Sequence, residues 1–200
     1  MARPRSFDEN EVLDRVTRTF WERGYANTSI ADLEAASGLG RQSLYSAFGD
    51  KHALFLRALD RYGSRVAGTV SFCDSKQSVK NQLRDILFSS VDFFTGGDAP
   101  GPCLVVQALL EFDDQAPDVM ARCRGNTAQL SDAVLALFHT AAARGELATG
   151  IDPESATTAL MAQYFAIPVM ARSGATADQL KRGIALLLDQ FTVSRPPASH

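Results

Sequence analysis

The chain contains no apolar run close to the 18 or so residues that a membrane-spanning helix needs, and no stretch that predicts a β-strand. It opens on Met-Ala-Arg-Pro-Arg-Ser without the apolar core of a signal peptide, so we expect a cytoplasmic protein with no membrane partner. Its 200 residues, 46% hydrophobic and 22% charged, have the composition of an ordinary globular chain. This composition excludes a disordered protein, a collagen-like fibre and a coiled-coil rod.

Metal-ligating residues are few and scattered. The chain has three cysteines, Cys73, Cys103 and Cys123, and an odd number does not indicate a disulfide framework. Their spacing fits no zinc motif, so they do not indicate a metal site. The three histidines are equally dispersed. We therefore expect neither a metal nor a cofactor.

The patterns of an enzyme are also missing. The sequence has no paired carboxylates within a helical segment, no activated-nucleophile motif and no phosphate-binding loop. The acidic pair Asp113-Asp114 lies at a break between helical segments and is typical of a solvated turn. The sequence therefore predicts a protein without catalytic activity.

A basic excess, which is common in nucleic-acid-binding proteins, is not present. The formal net charge is −3. Residues 1–65 hold ten Lys and Arg against nine Asp and Glu, whereas residues 66–200 hold ten against fourteen. Because this asymmetry is small, DNA binding has to be argued from individual positions.

The periodic part of the sequence has the period of a helix throughout, which predicts an all-α fold. Asp8 begins the first helix and Gly24 ends it, and three further helices are predicted from Ser29 to Gly38, over 41–48 and over 51–70. Longer helices follow at about 76–95, 102–112, 117–144, 153–172 and 176–193. We expect an N-terminal domain of short helices in residues 1–50, a linking helix in 51–70, a second domain in 71–193 and a disordered tail in 194–200.

Two short helices joined by a tight glycine-containing turn predict a helix-turn-helix around residues 29–48. The exposed face of its second helix would carry Arg41, Gln42, Ser43, Tyr45 and Ser46. In the major groove Arg41 can bind a guanine edge and Gln42 an adenine edge, although Arg41 can equally bind a phosphate. The residues Thr28, Ser29, Lys51 and His52 stand at helix N-termini, which favour phosphate. Core packing for Tyr45 and a capping role for Thr28 remain alternatives.

The stretch from Thr28 to Phe55, with the preceding Phe20-Trp-Glu-Arg-Gly-Tyr25, resembles the DNA-binding region of the TetR family of bacterial regulators. The motif Gly38-Leu39-x5-Tyr45-x2-Phe48-x2-Lys51-x2-Leu54 is specific to that family, and the resemblance covers about residues 7–60. It implies a ligand-responsive transcriptional regulator, usually a repressor. Such a protein binds a palindromic operator in double-stranded DNA as a homodimer and is released by a small-molecule effector. The resemblance also places Ser29, Arg41, Gln42, Ser43, Tyr45 and Lys51 at positions used against operator DNA.

Three residues depart from the family pattern. Glu34 stands where a small residue is usual, Gly40 where serine is common, and Ala47 where an aromatic residue or histidine is common. A solvent-exposed side chain is the simplest expectation for Glu34. Because Gly40 lacks a hydroxyl that could cap the second helix, we expect a looser start to that helix.

The resemblance further implies that the remaining long helices bind the effector and form the dimer, mainly through the last two. Candidate interface residues are Ala159, Leu160, Ala162, Ala166, Ala171, Ile184, Leu187, Leu188 and Phe191, with packing of the monomer core as the alternative. Candidate effector-pocket residues are Phe88, Phe93, Cys103, Gln107, Leu110, Met120, Phe138, Met161 and Tyr164, again with core packing as the alternative. We expect the effector to shift the helix over 51–70 and so to alter the separation of the DNA-reading helices.

Cys103 follows Pro100-Gly101-Pro102 at an expected helix N-terminus, where thiols become more reactive. By resemblance, a role in sensing electrophiles or oxidants is one possibility, and a buried small apolar side chain is the other.

Two further functions compete with a regulator. One is a helical carrier or enzyme that binds a hydrophobic small molecule without operator binding. The other is an interaction protein that has kept the fold and lost DNA binding, against which the intact Arg41, Tyr45 and Lys51 argue. Strongly salt-dependent DNA binding distinguishes the regulator from both.

Overall fold

The computed structural model describes residues 7–71, 77–97, 99–112 and 116–193. Cys73, the Asp113-Asp114 pair and the predicted tail over 194–200 lie outside these ranges. The described residues form nine helices and no strand, which confirms the all-α prediction. None of these helices is long and apolar enough to cross a membrane.

The helices lie close to their predicted positions because caps, glycines and prolines mark their ends. Asp8, Ser29, Asp152 and Thr176 each act as an N-cap whose side chain accepts a backbone N–H from the first turn. The observed bounds are α1 Glu9–Arg23, α2 Ile30–Ser37, α3 Arg41–Phe48, α4 Lys51–Ser71, α5 Val79–Thr95, α6 Leu104–Glu111, α7 Pro117–Ala143, α8 Pro153–Arg172 and α9 Ala177–Phe191.

The described residues group by their contacts into two compact units. One contains those of Met1–Arg65 and Pro100–Thr127, and the other those of Val66–Ala99 and Ala128–His200. The functional division at residues 50 and 71 stays a prediction, because a grouping by contacts does not test which part binds DNA or an effector.

The first unit is built around aromatic and aliphatic side chains from α1 to α4. Phe20 and Phe55 are fully buried and meet edge to face, with their ring centroids 5.0 Å apart. Leu33 of α2 and Leu44 of α3 are fully buried as well. On the surface of the unit, the guanidinium of Arg61 binds both carboxylate oxygens of Asp14 at 2.8 Å, which ties α4 to α1. Together these contacts hold the short helices α2 and α3 against α1 and α4.

The second unit has its own core, formed by residues of α5, α7, α8 and α9. Leu160, Ile184 and Leu188 are at most 2% exposed and belong to this core. The expectation that these three residues line a dimer interface was therefore wrong, because their side chains point into the core of the monomer. The large apolar side chains that α8 and α9 leave exposed are Val169, Met170 and Leu186.

Two helical glycines of the first unit give a matched test of its packing. A Cβ at Gly63 in α4 would overlap the side-chain amide of Asn126, which donates to the Leu59 carbonyl at 2.9 Å. A Cβ at Gly125 in α7 would meet nothing within 4 Å. We expect Gly125→Ala to stabilise the protein by about 0.5–1 kcal/mol through helix propensity. Gly63→Ala should be less stable than that control by roughly 2 kcal/mol, because overpacking outweighs the propensity gain.

Thermal and urea unfolding of the two variants measure this difference. Adding Asn126→Ala to Gly63→Ala should remove most of the stability difference, since the smaller side chain at position 126 makes room for the new methyl group. Equal stability of the two single variants would show that α4 and α7 do not pack as described.

Candidate nucleic-acid interface

Helices α2 and α3 are joined by the three-residue turn Gly38-Leu39-Gly40. Gly38 has a φ of +72°, a left-handed conformation that glycine adopts without strain, and its N–H donates to the Glu34 carbonyl at 2.9 Å. Leu44 and Phe48 are buried on one side of α3. The residues left exposed on α3 are Arg41, Gln42, Ser43 and Ser46, all of which were predicted to face DNA.

Tyr45 lies between the buried and the exposed faces of α3 and is half-buried. The guanidinium carbon of Arg41 lies 5.3 Å from the centroid of the Tyr45 ring, one helical turn further along. A cation over an aromatic face is held there by the ring quadrupole. Tyr45 therefore contributes to the polar face and restricts the position of Arg41.

The start of α2 is closed by a capping box. The Ser29 hydroxyl donates to the Asp32 carboxylate at 2.7 Å and accepts the Asp32 N–H at 3.1 Å, while the Ser29 N–H donates to the same carboxylate at 2.9 Å. Hydrogen bonds from the Ser29 hydroxyl and backbone lower the pKa of Asp32, with a smaller contribution from Arg23. Thr28 is 1% exposed and donates to the Gly24 carbonyl at 2.6 Å, so its side chain does not reach the surface with the other predicted residues.

The start of α4 lies in the same unit and carries two of the residues predicted to bind phosphate, Lys51 and His52. The Lys51 ammonium stands 4.2 Å from the centroid of the Tyr25 ring. His52 Nε2 lies 2.6 Å from Asp118 Oδ2, and this contact is the main cause that lowers the pKa of the Asp118 carboxyl. Lys51 is therefore placed by an aromatic ring, whereas His52 is engaged by a carboxylate.

The start of α3 is not loose, contrary to the expectation from Gly40. Gly40 has no side chain with which to cap the helix, but the Glu34 carboxylate accepts the Arg41 N–H at 2.6 Å. Glu34 is half-buried rather than fully exposed. No sequence rule for caps identifies this contact, because the carboxylate comes from the preceding helix, seven residues upstream.

Helix α6 makes a set of contacts to the end of α1 that the sequence did not indicate. The Glu111 carboxylate accepts the backbone N–H groups of Tyr25 and Ala26 at 2.7 and 2.8 Å. The Gln107 side-chain amide donates to the carbonyls of Trp21 and Pro102 at 3.0 and 2.8 Å. The amide of Gln107, which was predicted to bind an effector, is therefore used to fasten α6 to α1.

The predicted effector-pocket residues are divided between the two units. Cys103, Gln107, Leu110 and Met120 belong to the first unit, and Phe88, Phe93, Phe138, Met161 and Tyr164 to the second. Leu110 is 83% exposed, whereas Phe138 and Met161 lie in the core of the second unit. As an effector site, this set of residues stays a prediction.

The short helix pair, the polar face of α3 and the lysine at the start of α4 are the features of a helix-turn-helix DNA-binding protein. Residues 12–58 match the family described as bacterial regulatory proteins, tetR family. Residues 80–187, more than half of the chain, match the tetracyclin repressor-like C-terminal domain. The chain belongs to the TetR family of bacterial transcriptional regulators.

Relatives support this assignment over most of the chain. It is 30% identical to the HTH-type transcriptional repressor ComR of Escherichia coli over 182 residues, which are 90% of this chain and 86% of ComR. It is also 30% identical to the HTH-type transcriptional regulator YezE of Bacillus subtilis, over 90% of this chain and 94% of YezE. Among solved structures, a cysteine mutant of the regulator CifR complexed with a 26-bp operator matches with a TM-score of 0.80 and 28% identity. That match covers 94% of this chain and 98% of CifR. The protein is thus a DNA-binding regulator of transcription, in a family of regulators rather than enzymes.

The two described cysteines lead to a prediction about thiol reactivity. Cys103 is the N-cap of α6 but only 5% exposed, and Cys123 is fully buried. Burial, with a smaller contribution from Cys103, raises the pKa of Cys123 to about 11. Because the thiolate is the reactive form, we expect Cys123 to resist alkylation at pH 7.4 and to become reactive only as the pH approaches 11.

Mass spectrometry after limiting iodoacetamide, over a range of pH and with the urea-unfolded chain as reference, measures this for each cysteine. The same experiment with peroxide tests the sensing hypothesis for Cys103, which predicts a selective adduct there. Labelling of Cys123 at pH 7.4 as fast as in urea would contradict its burial.

Proposed function

We propose that this protein is a repressor that binds a palindromic operator as a homodimer and is released by a small-molecule effector. The observation that carries the proposal is the distribution of charge in the helix-turn-helix unit. Arg23, Arg57 and Arg61 are each paired with a carboxylate at 3.5 Å or less. In the described part of the chain, Arg15, Arg41 and Lys51 have no carboxylate within ion-pair distance. The Arg15 guanidinium donates to the Ser37 carbonyl at 3.1 Å, whereas Arg41 and Lys51 lie over aromatic rings with their charge available to DNA. The name of ComR as a repressor and the operator complex of CifR support the same function. Such a repressor acts where the chromosome is, in the cytoplasm.

The roles of the DNA-facing residues follow from their positions. Arg41 and Gln42, in the first turn of α3, are proposed to read base edges, with Ser43, Tyr45 and Ser46 extending the contact along the helix. Lys51, at the start of α4, is proposed to bind a phosphate, and Ser29 to approach the backbone at the start of α2. Phosphate contacts fix the register of a protein on DNA but carry no sequence information.

Substitution of Arg41 and of Lys51 should therefore have different consequences. Arg41→Ala should weaken operator binding by about 1–3 kcal/mol and relax the preference at one base pair, because it removes a base contact. Lys51→Ala should weaken binding to operator and random DNA alike and reduce the slope of log K against log salt by about 1. Selection of genomic fragments by the purified protein would define the operator, and fluorescence anisotropy at several salt concentrations measures both effects.

Arg84→Ala is the control, since it removes an exposed arginine from α5 in the other unit, one whose guanidinium is paired with Asp85 at 3.4 Å. It should leave operator affinity unchanged. If no fragment is enriched and the wild-type protein binds all DNA equally, the repressor function is wrong and the carrier or enzyme hypothesis takes its place.

A palindromic operator requires two copies of α3 about 34–36 Å apart, or a multiple of that distance, and hence a dimer. In the second unit, Val169 and Met170 of α8 are 53% and 46% exposed, and Leu186 of α9 is 64% exposed. These large apolar side chains are available to a second copy of the chain. We propose that they lie in the dimer interface, in place of the buried residues Leu160, Ile184 and Leu188.

Leu186→Glu should convert the dimer to a monomer at micromolar concentration, because it places a charge in an apolar interface. Sedimentation velocity measures the state of association. The variant should also lose high-affinity operator binding, since each monomer reads one half-site. Leu110→Glu, which changes a leucine of the first unit that is even more exposed, at 83%, should remain dimeric. A Leu186→Glu protein that is still dimeric would place the interface elsewhere.

Release by an effector requires that the ligand and the operator favour different conformations. A coupling of about 1–3 kcal/mol changes operator occupancy 5–150-fold. Helix α4 is proposed to transmit the change, because Lys51 is its first residue and any displacement of α4 moves that lysine. Among the predicted pocket residues, Phe88 and Tyr164 are partly buried and pack against the core of the second unit, which makes them the first positions to substitute in a search for the effector.

A further inference from the structure

Glu34 takes part in both ends of the turn between α2 and α3. Its backbone carbonyl accepts the Gly38 N–H at 2.9 Å and so closes the end of α2. Its side-chain carboxylate accepts the Arg41 N–H at 2.6 Å and so caps the start of α3. One residue thereby bridges a three-residue turn in which two residues are glycines.

The Glu34 carboxylate replaces a cap that the recognition helix does not have. The first N–H groups of a helix have no partner within it, and an N-cap side chain normally binds one of them. The N-cap of α3 is Gly40, which forms no side-chain hydrogen bond. A carboxylate is a strong acceptor for this position, because the bond is charge-assisted and the positive end of the helix dipole favours an anion.

Arg41 connects this cap to DNA recognition. Its N–H is held by Glu34, and its guanidinium lies over Tyr45. The turn before it contains Gly38 and Gly40, the residue type with the greatest backbone freedom. Without the Glu34 contact, that freedom would extend to the first residue of α3 and to the guanidinium it carries.

We propose that Glu34 is a positioning residue that sets the specificity of DNA recognition by fixing the start of α3. The inference rests on the proposed function, because it concerns how well the operator is distinguished from other DNA. Glu34 itself touches no base in this scheme and acts through Arg41.

The charge of Glu34 has a second effect, opposite in sign. A carboxylate at the start of α3 repels DNA phosphates and occupies an N–H that would otherwise attract them. Glu34 should therefore weaken binding to random DNA while it strengthens discrimination in favour of the operator. Loss of an ordinary structural contact would change both affinities in the same direction, so the opposite signs identify the positioning role.

The test compares Glu34→Ala, Glu34→Gln, Gly40→Ser and the double variant Glu34→Ala/Gly40→Ser with the wild-type protein. Glu22→Ala is the charge control, since it removes an exposed carboxylate from α1 in the same unit. Affinities for the selected operator and for random DNA of the same length are measured at two salt concentrations. Amide hydrogen exchange of residues 41–43 without DNA reports the cap directly, and the thermal midpoint of each variant verifies folding.

Glu34→Ala should lower the ratio of operator to random-DNA affinity about three- to tenfold, which is the range that loss of a helix cap implies. It should raise affinity for random DNA and speed exchange at residues 41–43. Glu34→Gln should keep most of the ratio, because its side-chain carbonyl still accepts the Arg41 N–H, while its random-DNA affinity rises. The double variant should recover the ratio and the protection of residues 42 and 43, because a serine hydroxyl at the N-cap accepts the second or third N–H of the helix. Glu22→Ala should leave the ratio and the exchange unchanged.

Unchanged exchange and an unchanged ratio in Glu34→Ala would overturn the inference while operator binding by the wild-type protein stands. Failure of Gly40→Ser to rescue Glu34→Ala would also overturn it, since the loss would then not be that of a cap. If the wild-type protein selects no operator, the proposed function fails, and the role in specificity fails with it, whatever the exchange data show.

Discussion

The exposed polar face of α3 depends on how this eight-residue helix is held by its surroundings. A helix as short as α3 is not stable alone in water, so neighbouring elements must supply its stability. Leu44 and Phe48 fix its buried side, and the Glu34 carboxylate fixes its start. With both constraints in place, the remaining side chains of α3 are presented to solvent in a defined arrangement. Packing sets which side faces out, and the cap sets where the first residue lies.

Local signals predicted much of this fold from the sequence. Glycines, prolines and capping side chains act within a few residues, so the limits of α8 and the capping box of Ser29 and Asp32 could be predicted. The exposed residues of α3 were also predictable, because helical periodicity places Leu44 and Phe48 on the opposite side. Contacts between distant residues were not. Glu111 and Tyr25 are 86 positions apart, and no spacing rule connects them.

The second unit shows where periodicity is insufficient. The pattern of α8 and α9 identifies an apolar stripe on each helix but does not say whether that stripe meets the monomer core or another molecule. Leu160, Ile184 and Leu188 turned out to fill the core, and the exposed apolar residues lie beside them. The same limit applies to the effector pocket, since an apolar side chain such as Phe138 satisfies a core and a cavity wall equally well.

The pairing of acidic residues explains how a chain with a net charge of −3 can leave Arg41 and Lys51 without a carboxylate partner in the part that the structure describes. In the first unit, Asp32 caps α2 and pairs with Arg23, Asp14 binds Arg61, and Asp118 contacts His52. Asp32 and Asp14 neutralise arginines that hold the unit together, and the Glu34 carboxylate accepts a backbone N–H. Which cations lack a carboxylate partner is determined by these pairings rather than by composition. Overall charge therefore says little about the charge of one face of this unit, whereas the partner of each individual arginine and lysine determines it.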